Sequence, residues 1–365
     1  MPTRIEVTRR KSSQVKVGCL AIGGGAPVCV QSMTKTDTRD VEATLAQIEA
    51  LAGAGCELVR CAVPDQAAAA ALRRIVEGSA LPVVADIHFN PELALAAVEA
   101  GVAKLRLNPG TLGDRRAVEK AVVAAGDHGI AIRVGVNAGS LEREFLIRDG
   151  FPSPQGMVDS ALRQIEFLEG LGLSDIVVSL KASDVLRTVA AYRLLAGRCS
   201  YPMHLGISEA GAGEEAVVKS AVGIGSLLAD GIGDTIRVSL TADPVREVEV
   251  AYRILQSLGL RRRGPEFISC PTCGRCEIDL SAVAAEVKRR LADLEAPITI
   301  AVMGCAVNGP GEAREADLGF AAGAGQGAIF RRGELLRTVP EERAVEEIVA
   351  EARKLEAELP SNGVD

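Results

Sequence analysis

"PVVADIHFNPELALAAVEAGVAKLRLN", residues 82–108, holds a β-rich run, a stretch of Ala, Leu and Glu at helical spacing, and a second β-rich run. That is the content of one strand–helix–strand unit. The same alternation recurs from residue 28 to residue 240. Its β-rich runs are "VCVQSM" (28–33), "ELVRCAV" (57–63), "PVVADIHF" (82–89) and "AKLRLN" (103–108), then "IAIRVGVN" (130–137), "DIVVSLK" (175–181), "MHLGIS" (203–208) and "DTIRVSL" (234–240). Eight units over this length predict a closed (β/α)8 TIM barrel, an α/β fold that usually takes about 250 residues. The alternative is an open doubly wound sheet, which would more often carry a GxGxxG turn after its first strand. The early glycines here, "GGGAP" (23–27), precede the first barrel run and read as a tight turn leaving a small N-terminal hairpin.

Period-two alternation sorts the polar residues within these runs. Arg106 and Asn108 share one face of "KLRLN", and Leu105 and Leu107 take the other. The same split pairs Asp86 with His88, Arg133 with Asn137, Ser179 with Lys181, and Arg237 with Ser239; Arg60 and His204 fit the pattern. In a barrel the apolar face packs on the helices, so these polar residues point inward. They are expected late in their strands, at the end where barrel enzymes build active sites. Any one of them could be a solvated charge at a strand end. Five cations together (Arg60, Arg106, Arg133, Lys181 and Arg237) call for an anion, and guanidinium groups match phosphate bidentately. A multiply phosphorylated small molecule is the expected ligand.

Bulk composition narrows the classes further. Hydrophobic residues make up 48% of the 365-residue chain, enough for two large cores. Only 3% are aromatic, none of them Trp, so bases would find few stacking platforms. The net charge of −7 argues against nucleic acid or an anionic membrane as a partner. The N-terminal stretch has charges but no following apolar run, and no run reaches transmembrane length, so a soluble cytoplasmic protein is expected.

The repeat stops after "AYRILQSLGLRRRGPEF" (251–267), where Arg261 to Pro265 read as a linker. The expected division is a barrel domain with its hairpin over 1–262 and a small α+β domain over 263–365. In the second, a helix ("LSAVAAEVKRRLADLEA"), a strand ("ITIAVMG"), a glycine-rich loop, a hairpin ("GAIFRRGELLRTV") and a charged terminal helix follow one another. It opens on "SCPTCGRCEIDL" (269–280), with Cys270, Cys273 and Cys276, and Cys305 follows in "VMGCAVNGPGEA". Structural zinc would want paired CxxC motifs or histidines, yet His88, His128 and His204 all lie in the barrel region. Closely spaced cysteines followed by a distant one favour an iron–sulfur cluster. Spacing alone selects Cys270, Cys273, Cys276 and Cys305. The isolated Cys19, Cys29, Cys56, Cys61 and Cys199 read as small core residues. An electron carrier or redox sensor, and a barrel enzyme stabilised by zinc, are the competing classes.

The blocks "CPTCGR", "GCAVNGPGEA", "VADIHFNP", "LRLNPG", "RVGVNAGSLE", "SLKASD", "HLGISEAG" and "DTIRVSLTADP" closely resemble the bacterial two-domain 4-hydroxy-3-methylbut-2-enyl diphosphate synthase family of the methylerythritol phosphate pathway. The resemblance implies a TIM barrel followed by a ferredoxin-like 4Fe-4S domain, in a homodimer whose active site forms between subunits. It implies reductive ring opening and dehydration of 2-C-methyl-D-erythritol 2,4-cyclodiphosphate, with flavodoxin or ferredoxin as the electron donor. By matching motif, the cluster ligands would be Cys270, Cys273, Cys305 and Glu312, with one exchangeable ligand, and Cys276 would not be a ligand. Arg60, Arg106, Arg133, Asn137, Lys181 and His204 would face the substrate, with Asp86 and His88 orienting it or forming a structural salt-bridged pair. Glu209 would donate a proton to the leaving hydroxyl; the alternative is a carboxylate answering a helix dipole.

Overall fold

The structure, a computed structural model, describes residues 6–88, 90–107 and 115–359. The chain divides into two compact units, one spanning Glu6–Leu260 and one that takes in Arg261 onward.

The first unit opens on an antiparallel hairpin of β1 (Val15–Val17) and β2 (Leu20–Ile22). Eight parallel strands follow: β3 (Cys29–Met33), β4 (Leu58–Val63), β5 (Val83–Ile87), β6 (Lys104–Leu107), β7 (Ala131–Asn137), β8 (Ile176–Lys181), β9 (His204–Leu205) and β10 (Thr235–Ile236). Their order is β8-β7-β6-β5-β4-β3-β10-β9, and a parallel bridge between Val178 and Met203, just ahead of β9, closes the ring. The barrel is therefore the one expected, with a strand on each of the eight runs; Asn108 lies outside the described residues. The hairpin residues Val15, Val17 and Ile22 pack against Cys29, Leu58, Val84, Ala131 and Val177, the first inward residues of five strands, and so floor the barrel.

Nine helices among the described residues surround the ring: α1 (Val41–Gly53), α2 (Gln66–Gly78), α3 (Pro91–Glu99), α4 (Arg115–Asp127), α5 (Arg143–Asp149), α6 (Pro154–Gly170), α7 (Val185–Ala196), α8 (Gly213–Ala229) and α9 (Pro244–Ser257). Many start on a side-chain cap: Asp40, Asp65, Asn90, Ser153, Asp184 and Asp243 each accept a backbone N–H two or three residues on. Outward strand residues such as Val59, Ala85, Leu105 and Val134 form one core with these helices. The shortest strands are held from the helix layer. Buried Tyr192 of α7 accepts from Leu180 N at 3.0 Å and donates to the His204 carbonyl, tying β8 to β9. No helix among the described residues is long and apolar enough to cross a membrane.

The second unit is a five-stranded mixed sheet in the order β11 (Glu266–Ser269), β12 (Thr299–Met303), β13 (Leu318–Gly323), β14 (Gln326–Arg331), β15 (Glu334–Pro340). The first three strands run parallel and the last two add antiparallel. Helices α10 (Leu280–Arg290), α11 (Gly309–Glu315) and α12 (Ala344–Glu358) complete it, over a core that includes Val287, Ile300, Phe320, Ile329 and Ile348. Two departures from expectation have a physical cause. The helix from Leu280 ends at Arg290, with Lys288, Arg289 and Arg290 in its last turn, where positive charge suits the helix dipole. The glycine-rich stretch contains α11 and β13 because its small residues let a helix lie directly on a strand. A Cβ on Gly319 would sit 2.1 Å from the Ala313 carbonyl oxygen.

Candidate active site

Strand register assembles the polar interior of the barrel. Asp86 of β5 lies opposite Ala62 of β4 and Arg106 of β6, and Arg106 lies opposite Arg133 of β7. Asp86 reaches Arg106 Nη1 at 3.2 Å and Arg60 Nε at 3.6 Å. Burial raises the Asp86 carboxyl, but the guanidiniums of Arg60 and Arg106 and a hydrogen bond with His88 outweigh it, holding it far below the usual carboxylate range. Arg106 also meets His88 Nε2 at 2.6 Å. Asp86, Arg106 and His88 are thus one connected group on two adjacent strands.

Two inward glycines make the room these cations need. A Cβ on Gly135 would stand 2.7 Å from Arg106 Nε, and one on Gly206 would stand 3.0 Å from Lys181 Nζ. Gly135→Ala is accordingly expected to displace the Arg106 guanidinium. A raised KM or lowered kcat in a protein that still folds is the outcome to look for; unchanged kinetics count against this packing.

Above the polar layer opens a cavity of about 840 Å³ lined in part by Asp86, His88, Asn137, Lys181 and Glu209. Arg187 of α7 and the hydroxyls of Ser140, Ser183 and Ser208 also line it, and the sequence reading passed over them. Arg60, Arg106, Arg133 and His204 do not reach this lining. They were expected late in their strands, at the open end. Instead Arg133 is the third residue of β7 and His204 the first of β9, and both are almost fully buried. Period two gives the face of a strand but not the height at which neighbouring strands meet.

The cations also differ in their partners. Arg237 lies one residue beyond β10, where buried Glu247 of α9 accepts from it at 3.3 Å. Glu247 also accepts from Ser32 Oγ at 3.1 Å and from Leu240 N at 3.1 Å, and pairs with Lys35 at 3.2 Å. Among the described residues no carboxylate is in ion-pair contact with Arg133, whose charge Asp86 answers only from further off, and its Nε and Nη1 find no hydrogen-bond partner. Burial, with Arg60 and Arg106 beside it, pushes its pKa well below the ordinary value. Lys181 Nζ lies 3.4 Å from His204 Nε2. Burial and Arg133 drive both downward, which leaves His204 a neutral imidazole. Lys104 shares the inward face and went unremarked in the sequence, although period two places it with Arg106. Arg60, Arg106, Arg133, Lys104, Lys181 and Arg237, with Lys35 on Glu247, thus outnumber the two carboxylates they surround, Asp86 and Glu247. A multiply charged anion would answer part of that excess.

Glu209 is exposed, lines the cavity, and has φ +54°, a left-handed conformation that non-glycine residues seldom adopt. Helix α8 begins only at Gly213, with Glu214 and Glu215 in its first turn, so Glu209 is not the carboxylate that answers that dipole.

In the second unit the paired parallel strands β11 and β12 bring two cysteine loops to one end of the sheet, past the strands' carboxyl ends. Ser269 pairs with Val302, so Cys270 and Cys305 follow closely on neighbouring strand ends. Glu277 N donates to Gly304 O at 2.9 Å and staples the loops together. Thr272 between them has φ +51°. The backbone N–H groups of Asn308 and Val307 pull the Cys305 thiol below its ordinary range, with Gly309 and the Arg275 side chain adding to the effect. Cys276 turns inward: its Sγ donates to Ile278 O at 3.3 Å, packs with the sheet core, and would lie 2.4 Å from a Cβ on Gly304. Glu312 is exposed in the first turn of α11. No three His, Cys, Asp or Glu side chains among the described residues converge as on a single metal ion. A cluster asks less of them, because each of its irons takes its own ligand.

A closed parallel barrel with a cationic interior, joined in one chain to a cysteine-bearing mixed-sheet unit, defines a two-domain TIM-barrel protein built for an anionic ligand. Residues 12–252 match the family described as the GcpE TIM-barrel domain, and residues 266–354 match the GcpE protein C-terminal domain. The chain belongs to the GcpE family. It is 58% identical over 350 residues to a 4-hydroxy-3-methylbut-2-en-1-yl diphosphate synthase (flavodoxin) of Geobacter sulfurreducens, covering 96% of this chain and 99% of the relative. Proteins of the same description from Thermodesulfovibrio yellowstonii and Bacillus licheniformis are 53% and 54% identical, over 95% and 97% of this chain and 100% and 96% of theirs. Among solved structures, an N-acetylneuraminic acid (sialic acid) synthetase from Leptospira borgpetersenii serovar Hardjo-bovis shares the fold, with a TM-score of 0.50 and 13% identity over 78% of this chain and 98% of that one.

Proposed function

We propose that the protein is a 4-hydroxy-3-methylbut-2-enyl diphosphate synthase. It opens the ring of 2-C-methyl-D-erythritol 2,4-cyclodiphosphate reductively and dehydrates it, in the cytoplasm, with electrons from flavodoxin or ferredoxin. The observation that carries this reading is the excess of buried cations over carboxylates in the barrel, in a chain that full-length relatives of that name match at more than half of its positions. A cyclic diphosphate brings the two negative charges that Arg133 and Lys181 lack.

The barrel unit is assigned substrate binding and the unit from Arg261 onward the cluster. Lys181, which lines the cavity, holds the phosphoryl oxygens, and Arg60, Arg106 and Arg133 answer their charge from beneath it. Asn137 donates a hydrogen bond, neutral His204 supports Lys181 from below, and Asp86 fixes Arg106 and His88 under the ligand. Glu209 reaches the cavity from a strained turn and is the proton donor for the departing hydroxyl. A 4Fe-4S cluster would be held by Cys270, Cys273, Cys305 and Glu312. The lowered Cys305 thiol and the two stapled loops suit thiolate ligation. When bound, the cluster supplies electrons at low potential and an iron whose carboxylate ligand can be exchanged.

Anaerobic turnover of the cyclodiphosphate with a strong reductant tests the reading, together with iron, sulfide and zinc analysis. Zinc in place of iron, or a cluster-loaded protein that leaves the compound untouched, would refute it. The reading also carries a homodimer in which each barrel works with the partner subunit's cluster unit. Mixed dimers of a Cys270→Ser chain and an Arg106→Ala chain are then expected to regain part of the activity that each homodimer lacks. Verified mixed dimers without any recovery would place the whole site in one chain.

A further inference from the structure

Lys104 is a cation that the proposed chemistry does not use. It opens β6 and lies one inward step below Arg106. Register sets it between Val84 of β5 and Ala131 of β7, both in the apolar layer against the hairpin. The residue is fully buried, Nζ has no hydrogen-bond partner among the described residues, and it does not reach the cavity lining. Arg60 of β4, Arg133 of β7, His204 of β9 and Cys29 of β3 face it, with Arg106 on its own strand. Gln31 of β3 is equally buried, and neither of its amide atoms has a partner among the described residues.

A lone buried ammonium gives the fold nothing that Met or Leu would not give better. Guanidiniums keep their protons at any ordinary pH, whereas a buried lysine discharges readily, so relief of like-charge crowding falls to Lys104, Lys181 and His204. We infer that Lys104 is a proton-coupled positioning residue: it stands neutral beneath the guanidiniums while no anion is bound, and takes up a proton from solvent when a dianion settles above them. This rests on the anion reading of the barrel and adds a countercharge that comes and goes with the ligand. In support, burial and then Arg133 push the Lys104 ammonium from an ordinary 10.5 down to about 7.

Calorimetric titration of the oxidised holoenzyme with 2-C-methyl-D-erythritol 2,4-cyclodiphosphate, without reductant and in buffers of different ionisation enthalpy, counts the protons bound. Near pH ~8 the wild type is expected to take up roughly one proton more than Lys104→Met, and its affinity to fall about tenfold more steeply per pH unit. A second readout separates this from a structural role. Between the folded and unfolded pKa values the unfolded chain holds a Lys104 proton that the folded chain has released, so wild-type stability gains from rising pH across about 7 to 10.5. Lys104→Met is expected to lose that gain and to melt no lower than wild type near neutrality; a structural lysine would leave it melting lower. Equal proton uptake by the two proteins, or a lower melting temperature in the variant, overturns the inference while the anion reading stands. A wild type that binds no cyclodiphosphate removes the anion reading and the inference together. Lys104→Gln carries the same readings if Lys104→Met does not fold.

Discussion

Cys305→Ser is expected to abolish the cluster and all measurable turnover, while Cys276→Ser assembles a normal cluster and turns over. Both follow from where the thiols stand. Cys305 lies two residues past β12 with three backbone N–H groups and Arg275 drawn toward its sulfur, which favours the thiolate that iron requires. Cys276 donates its sulfur's hydrogen to the Ile278 carbonyl and packs against Gly304. Glu312→Gln is expected to keep much of its iron and lose most activity, since a carboxylate is the harder ligand and exchanges more readily than a thiolate. Iron and sulfide content, the visible spectrum and turnover are to be measured on all three variants after anaerobic reconstitution. A cluster-free Cys276→Ser beside a fully active Glu312→Gln would make the site four cysteines, as spacing alone suggests.

Arg133→Met is expected to weaken kcat/KM by about 1.5–3 kcal/mol, roughly ten- to a hundredfold, and yet to stabilise the fold. The two effects share one cause. Arg133 is buried with no carboxylate in ion-pair contact among the described residues, and Asp86 answers its charge only in part, so an apolar side chain of similar volume relieves that cost. Arg106→Ala is expected to lower kcat/KM to a similar degree but to destabilise, because among the described residues Asp86 then keeps Arg60 and the half-buried His88 as its ion-pair contacts. Steady-state kinetics beside thermal melts of the two variants decide the matter. Normal kinetics in both, or parallel losses of stability, would remove the barrel interior as the anion site.

The barrel was legible because period-two runs and helical stretches alternate without a break, and local pattern determines local structure. Even the two-residue strands β9 and β10 fall within the runs "MHLGIS" and "DTIRVSL". In the second unit "LGFAAG" reads as loop in sequence because a strand built from small residues to admit a helix carries little β signal of its own. The cysteine-bearing loops stand out by spacing, but their placement at one end of the sheet depends on β11 and β12 being neighbours, which spacing does not encode.

The sequence by itself determined that a (β/α)8 barrel forms and that Arg60, Arg106, Arg133 and Lys181 share its inward face, because side-chain alternation is a property of each strand alone. Only the tertiary structure decided which of those charges is answered. Asp86 serves Arg60 and Arg106 because register sets β5 between β4 and β6, and Glu247 serves Arg237 because α9 packs back onto the barrel. Arg133 and Lys104 have no carboxylate in ion-pair contact among the described residues: Asp86 is taken up by Arg60 and Arg106, and Lys104 lies one inward step lower, between Val84 and Ala131. Height within a barrel is a relation between strands, and no single strand carries it.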